Sequence, residues 1–69
     1  MGTIQKKIGE KVKRLRQDRE LTQQKLAEKI KMDITTINEI ENGRRNPSVK
    51  TINKLARALK VNPSELLIF

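Results

Sequence analysis

Three polar residues in the middle of the chain, Thr35, Asn38 and Glu39, have the spacing of neighbours on one side of a helix. At about 100° per residue they fall on the arc opposite Ile37 and Ile40, which can pack against a core. A hydroxyl, an amide and a carboxylate can between them donate and accept hydrogen bonds. We therefore expect this polar arc to be available to a partner.

A carboxylate, that of Glu41, falls on the apolar side of the same helix, where burying it alone would be costly. Arg16 has a matching position in the first predicted helix, at the edge of its apolar stripe and about 80° from Ile8. The two side chains can form a partly buried, bidentate pair that locks the first helix to the third. We therefore predict that Arg16 and Glu41 form a structural ion pair.

The composition leaves little room for catalysis. The 69 residues include no cysteine and no histidine, which excludes disulfides, a thiolate nucleophile, an imidazole base and a zinc site of the usual kind. No catalytic constellation can be assembled from the other side chains, so we predict a protein that is not an enzyme and needs no cofactor or metal. No feature of the sequence indicates a small-molecule ligand.

The charge of the chain indicates a polyanionic partner. Lysine and arginine number 16 against 8 acidic residues, which gives a net charge of +8 and a pI near 10.3. Nucleic acid and an anionic membrane surface are the first candidates. The N-terminus lacks the apolar run of a secretory signal, and no stretch approaches the ~20 apolar residues that span a bilayer. We therefore expect a cytoplasmic protein.

Helix signals recur along the whole chain. Four residues have the types and positions of N-caps, namely Thr22, Asp33, Ser48 and Asn62. The apolar stripe of the first helix consists of Ile4, Ile8, Val12 and Leu15. No strand pattern or internal repeat appears. The sequence therefore predicts an all-α fold, a compact bundle of five short helices that forms a single domain over residues 1–69.

The second and third predicted helices are separated by only about three residues, because Asp33 caps the third soon after Ile30 closes the second. Two helices joined so closely must cross at a steep angle around a small residue, for which Ala27 is well placed. This is the geometry of a helix-turn-helix, with the motif at about residues 22–42.

Three segments of the chain resemble a known family. They are LTQQKLAEKI at residues 21–30, TTINEIENGRRNPS at residues 35–48 and LARALKVNPSELL at residues 55–67. Together they are similar to the phage repressor and Cro type of helix-turn-helix domain, the XRE family with its lambda repressor-like fold, over about residues 8–67. The resemblance implies a transcriptional regulator, a repressor in the first instance, that binds a double-stranded DNA operator sequence-specifically as a homodimer.

The resemblance also implies roles for individual residues. The helix at residues 33–41 would lie in the major groove, with base contacts from Ile34, Thr35, Asn38 and Glu39. The methyl groups of Ile34 and Thr35 suit thymine methyls, the Asn38 amide suits adenine, and a carboxylate can accept from N4 of cytosine. Phosphate contacts would come from Gln23, Arg44, Arg45 and Asn46.

The chain departs from the family pattern at two positions. The family usually has glycine where the first helix ends and again in the turn between the second and third helices, but this chain has Glu20 and Lys31 there. We therefore expect left-handed backbone at both residues, at a cost on the order of 1 kcal/mol each.

Other interpretations stay open. The same fold could serve as an antitoxin-type protein-interaction module, although no toxin-binding segment is visible. The lysine-rich first helix could rest on an anionic membrane, but the chain has no tryptophan and little apolar area to expose, so we predict no membrane partner. An apolar end either closes the core or forms the homodimer contact, and it consists of Leu66, Leu67, Ile68 and Phe69.

Overall fold

Four α-helices and one short 3₁₀ helix make up the computed structural model, which describes residues 3–68. The α-helices are α1 (Ile4–Asp18), α2 (Gln23–Lys29), α3 (Ile34–Glu41) and α4 (Val49–Ala58), and the 3₁₀ helix is Pro63–Leu67. No strand occurs among the described residues, which confirms the predicted all-α class. None of these helices is long and apolar enough to cross a membrane.

The last element differs from the fifth helix of the predicted bundle. It is a 3₁₀ helix of five residues, and the Glu65 N–H donates to the Asn62 carbonyl at 2.9 Å. Asn62 occupies the N-cap position, as predicted, but its side chain makes no capping hydrogen bond. Because the element is shorter than two α-helical turns, the tighter i→i+3 pattern suffices to satisfy its backbone.

Each α-helix begins at a side-chain cap. In all four, the side-chain oxygen of the preceding residue accepts a hydrogen bond from the backbone N–H three residues later. The capping residues are Thr3, Thr22, Asp33 and Ser48, with distances of 3.1, 3.0, 2.8 and 3.1 Å. The caps of α2, α3 and α4 are those that the sequence predicts, so these three helices begin where local chemistry requires.

Each α-helix also ends in the same way, in a Schellman motif. The residue after the C-cap has a positive φ, and two backbone hydrogen bonds of 2.9–3.2 Å close the last turn. The four residues are Glu20 (φ 55°), Lys31 (φ 56°), Gly43 (φ 73°) and Lys60 (φ 59°). Left-handed backbone at Glu20 and Lys31 confirms the prediction, whereas left-handed backbone at Lys60 was not predicted.

Replacing Lys60 with glycine is expected to stabilise the protein by about 0.5–1 kcal/mol. The change removes the steric strain that Cβ imposes on left-handed backbone, and this gain exceeds the entropy that glycine adds to the unfolded chain. Urea denaturation followed by far-ultraviolet circular dichroism measures the difference. The same replacement at Lys54, which is exposed within α4, should instead destabilise by about 1 kcal/mol. Effects of the same sign at both positions would contradict the prediction.

Apolar side chains from every helix form one core. α3 packs against both α1 and α2, and the 3₁₀ helix packs against α1 and α4. The apolar residues with no more than 1% exposure are Val12, Leu26, Ile37, Ile40, Leu55, Ala56, Leu59 and Leu66. Ile4, predicted to lie in the buried stripe of α1, is 66% exposed.

The joint between α2 and α3 consists of residues 30–33 alone. Lys31 turns the chain with its positive φ, and the Met32 N–H donates to the Ala27 carbonyl at 2.9 Å. Ala27 is 3% exposed, and its methyl group takes little space where α2 packs against its neighbours. This short joint holds α3 against α2 in the arrangement expected of a helix-turn-helix.

Candidate nucleic-acid interface

The outer side of α3 carries the side chains that the resemblance assigns to base contacts. They are Ile34, Thr35, Asn38 and Glu39, and all four retain access to solvent. Ile37 and Ile40, on the inner side, are exposed by no more than 1%. α3 therefore presents an accessible polar edge while its apolar side is fixed in the core.

A buried ion pair fixes α3 to α1. Arg16 Nε donates to Glu41 Oε2 at 2.7 Å, and Arg16 Nη2 donates to Glu41 Oε1 at 3.2 Å. The two side chains are 11% and 2% exposed. Nη1 of Arg16 also donates to the Leu21 carbonyl at 2.6 Å, so the same guanidinium joins α1 to the segment before α2. The planar fork engages both carboxylate oxygens, which offsets the cost of burying two charges.

Gln23, at the first position of α2, extends this ion pair toward the surface. Its Nε2 donates to Glu41 Oε1 at 3.0 Å, and its Oε1 accepts from Asn38 Nδ2 at 3.5 Å. Asn38 Oδ1 accepts in turn from Asn42 Nδ2 at 3.1 Å. Hydrogen bonds therefore run from Arg16 to the exposed amides of α3. Gln23, predicted as a phosphate contact, keeps one Nε2 hydrogen for that purpose.

The loop between α3 and α4 is anchored at both ends. The Gly43 and Arg44 N–H groups donate to carbonyls in the last turn of α3 at 3.1 and 2.9 Å. Pro47 is buried at the other end of the loop, and Arg44 and Asn46 are exposed between these anchors. Arg44 and Asn46, two of the predicted phosphate contacts, therefore lie on a short loop that comes directly after α3 and is held at both ends.

Arg45 is a further predicted phosphate contact on this loop. Its side chain is hydrogen-bonded to Glu39, a predicted base contact. Its Nε and Nη2 both donate to Oε1 of Glu39, at 3.0 and 2.8 Å. The Arg45 and Glu39 side chains are 51% and 37% exposed. This pair was not predicted from the sequence, because the direction of a side chain in an irregular loop depends on how the chain turns after Gly43.

Asp33, the N-cap of α3, is held in its charged form. Hydrogen bonds from the side chain and backbone of Thr36 hold the pKa of the Asp33 carboxyl below its usual range, and the charge of Arg45 acts in the same direction. The folded pKa is depressed, so this cap contributes fully above the unfolded pKa of about 3.9. The contribution is lost as pH falls through the lower folded-state pKa.

Comparison with known proteins identifies relatives of this arrangement. A family model described as helix-turn-helix matches residues 12–66. The control protein C.MunI of a Mycoplasma species is 37% identical over 67 residues, which cover 96% of this chain and 90% of that protein. The immunity repressor protein of Bacillus phage phi105 is 37% identical over 60 residues, which cover 87% of this chain. This chain spans only 42% of the length of that repressor.

A solved structure shares the fold closely. The crystal structure of the restriction-modification controller protein C.AhdI from Aeromonas hydrophila matches with a TM-score of 0.87 at 37% identity, over 90% of this chain and 94% of that one. The residues matched by the family model include α2, α3, the loop after α3 and α4. The chain therefore belongs to the helix-turn-helix family of transcription regulators that includes phage repressors and restriction-modification controller proteins.

Proposed function

We propose that this chain regulates transcription, as a repressor or controller, by binding a specific double-stranded DNA operator as a homodimer. In the bound state α3 lies in the major groove, where its outer side reads base edges, and neighbouring residues hold phosphates. The proposal includes a cytoplasmic location, and neither a membrane nor a cofactor takes part in it.

One observation carries this proposal: the inner side of α3 is fixed against the rest of the domain, and its outer side is accessible to solvent. Ile37 and Ile40 lie in the core, and Glu41 is bonded to α1, while Thr35 and Asn38 are exposed. Base readout requires side chains that are held in hydrogen-bonding geometry by a rigid element. A polar helix face that is held in place in this way is better explained by base recognition than by simple exposure to solvent.

The side chains on α3 have chemistry that suits base edges. Asn38 accepts from Asn42 and donates to Gln23, and after these bonds its amide still has one N–H and one lone pair. This one donor and one acceptor are the groups that a bidentate contact with the N6 amine and N7 of adenine requires. Ile34 and Thr35 add methyl groups that fit against the methyl of thymine. These residues are therefore the proposed base contacts, together with Glu39.

Phosphates are the proposed partners of residues beside α3. Arg44 and Asn46 are exposed on the loop after α3, and the amide of Gln23, at the start of α2, is hydrogen-bonded to Asn38. These contacts hold the domain in register on the duplex but carry no sequence information. The net charge of +8 adds long-range attraction to DNA at low salt.

Dimerisation is proposed because one domain this small makes few base contacts, and two copies on a symmetric operator double them. Leu67 and Ile68 are 49% and 57% exposed next to the buried Leu66, and we assign them to the dimer contact. Phe69, the last residue of the predicted apolar end, lies outside the described residues.

Selection of random duplexes by the purified protein tests the proposed function. At moderate salt we expect a shared motif with two-fold symmetry, whose half-sites are centred about one turn of DNA apart, or a multiple of that. Recovery of no shared motif would contradict sequence-specific binding. A shared motif without two-fold symmetry would contradict the homodimer and leave sequence-specific binding in place.

Two substitutions separate base reading from phosphate binding. Thr35→Ala is expected to relax the preference about tenfold at one base pair of each half-site, because a groove-facing methyl and hydroxyl are lost. Arg44→Ala is expected to weaken binding to all sequences alike. The slope of log K against log salt should become shallower by about 2 for a dimer, at ~0.9 per phosphate.

Equilibrium binding to the selected operator and to singly substituted operators, at several salt concentrations, measures both effects. Uniform weakening by Thr35→Ala, with unchanged base preference, would contradict the position of α3 in the groove. A change of base preference in Arg44→Ala would contradict its assignment to phosphate.

A further inference from the structure

An ion pair lies on the surface that we assign to DNA. Arg45 Nε and Nη2 both donate to one oxygen, Oε1 of Glu39, at 3.0 and 2.8 Å. Two donors that converge on a single oxygen hold that oxygen beside the guanidinium. Among residues 3–68, Oε2 of Glu39 has no hydrogen-bond partner. The pair therefore leaves one carboxylate oxygen available on the outer side of α3.

The backbone turns after α3 and brings Arg45 back to Glu39, the residue with which it pairs. Gly43, with φ 73°, turns the chain, and the Arg44 N–H then donates to the Glu39 carbonyl at 2.9 Å. Arg45 is the next residue, and buried Pro47 holds the far end of the loop. A pair that joins tethered segments loses less conformational freedom on forming than a pair between flexible ones. The contact is therefore built into the way α3 ends.

This geometry disfavours a phosphate contact through the two Arg45 donors, Nε and Nη2, that Glu39 engages. The guanidinium would have to release Glu39 to reach a phosphate with the same two donors. The carboxylate would then face a polyanion without its counter-charge, and like-charge repulsion would weaken binding. If the pair is kept, the two side chains approach DNA as one neutral unit.

We propose that Arg45 is a positioning residue for base recognition and not a phosphate contact. Its guanidinium holds Oε1 of Glu39, so that Oε2 faces the major groove as a hydrogen-bond acceptor. The group that fits this acceptor is an exocyclic amine at the groove edge, the N4 amine of cytosine. This inference rests on the proposed function and identifies how one base pair of each half-site is chosen.

The test compares base preference in the wild type with that in Glu39→Gln, Arg45→Ala and Arg45→Lys, with Arg44→Ala as the matched control from the same loop. Each protein selects from random duplexes at moderate salt, and its affinity for the operator is then measured over a range of salt. Lysine keeps the positive charge that a phosphate contact needs but lacks the rigid fork with two donors. Arg45→Lys therefore separates charge from geometry.

We expect Arg45→Ala and Arg45→Lys to relax the preference about tenfold at one base pair of each half-site, the same base pair that Glu39→Gln affects. The double variant Glu39→Gln/Arg45→Ala should lose no more of the preference at that base pair than the worse single variant. Both changes remove the same Arg45–Glu39 contact, so their effects should not add. The salt slope of Arg45→Ala should stay near that of the wild type, while that of Arg44→Ala becomes shallower by about 2.

Four results would overturn the inference. Uniform weakening by Arg45→Ala with a shallower salt slope, and near wild-type binding by Arg45→Lys, would assign Arg45 to phosphate. Effects of Glu39→Gln and Arg45→Ala at different base pairs would separate the two residues. A wild-type selection that yields no motif would contradict the proposed function itself and this inference with it, whereas a wild-type motif that Arg45→Ala leaves unchanged would contradict only the positioning role.

Discussion

Replacing Arg16 with methionine is expected to lower the free energy of unfolding by about 3–5 kcal/mol, because it strands a buried charge. The Glu41 side chain is 2% exposed and would keep its carboxylate without a counter-charge. The hydrogen bond from the guanidinium to the Leu21 carbonyl would be lost as well. Methionine adapts to the space left by the arginine stem, so lost packing accounts for little of the effect. Urea denaturation at low temperature, followed by circular dichroism, measures the loss.

Lys25→Met is the matched control, because it removes one partner of an exposed pair. Lys25 Nζ lies 3.9 Å from Glu28 Oε1, and the two side chains are 69% and 59% exposed. A surface pair of this kind contributes less than about 0.5 kcal/mol. Similar losses in Arg16→Met and Lys25→Met would contradict the role of burial.

A double variant separates the stranded charge from the lost arginine. Arg16→Met/Glu41→Leu leaves no charge buried, and we expect it to recover more than half of the stability that Arg16→Met loses. Gln23 loses its acceptor in this variant, but its side chain is only partly buried and water can replace the carboxylate. A double variant no more stable than Arg16→Met would show that the stranded carboxylate is not the cause.

Signals that act within one helix allowed much of the fold to be predicted from the sequence. Asp33 and Ser48 cap α3 and α4 because a short polar side chain before an apolar period satisfies the first N–H groups. Arg16 and Glu41 could be paired because each falls on an apolar side and the two have opposite charge. Both arguments need only the sequence spacing and the period of a helix.

The contacts that Arg45 and Gln23 make with other segments could not be predicted in this way. Arg45 reaches Glu39 because the Schellman motif at Gly43 turns the loop back toward α3. The Gln23 amide is engaged by Glu41, which is distant in sequence and close only in the folded chain. Residue types in an irregular loop do not define the direction of a side chain, so the candidate site was predicted as a set of residues without its internal bonds.

Gly9 is a further residue whose role emerges only from the packing of two helices. It lies inside α1, where glycine is a poor helix former, and it is buried. A Cβ at this position would clash with the Ile40 carbonyl oxygen and lie 2.8 Å from the Glu41 carbonyl oxygen. A glycine inside an amphipathic helix is the sequence signal that could have indicated this close approach.

Gly9→Ala is expected to destabilise the protein by about 3 kcal/mol or more, although helix propensity alone predicts stabilisation by about 1 kcal/mol. The obstructing atoms belong to the backbone of α3, so α1 and α3 must separate to admit the methyl group. That separation also strains the ion pair of Arg16 and Glu41, which joins the same two helices. A domain of this size is stabilised by roughly 3–10 kcal/mol, so this loss is a large part of the total.

Urea denaturation measures the change in the free energy of unfolding, and its sign decides between the clash with α3 and the gain in helix propensity. Glu10→Ala, at an exposed neighbour in α1, is the control and should shift this free energy by less than about 0.5 kcal/mol. The Ile40 carbonyl also accepts the Gly43 N–H at 3.1 Å, so a displaced α1 loosens the turn that leads to Arg45. The folded fraction of Gly9→Ala should therefore discriminate less between the selected operator and unrelated duplexes. A more stable Gly9→Ala protein with wild-type base preference would show that this helix contact neither limits stability nor sets the orientation of α3.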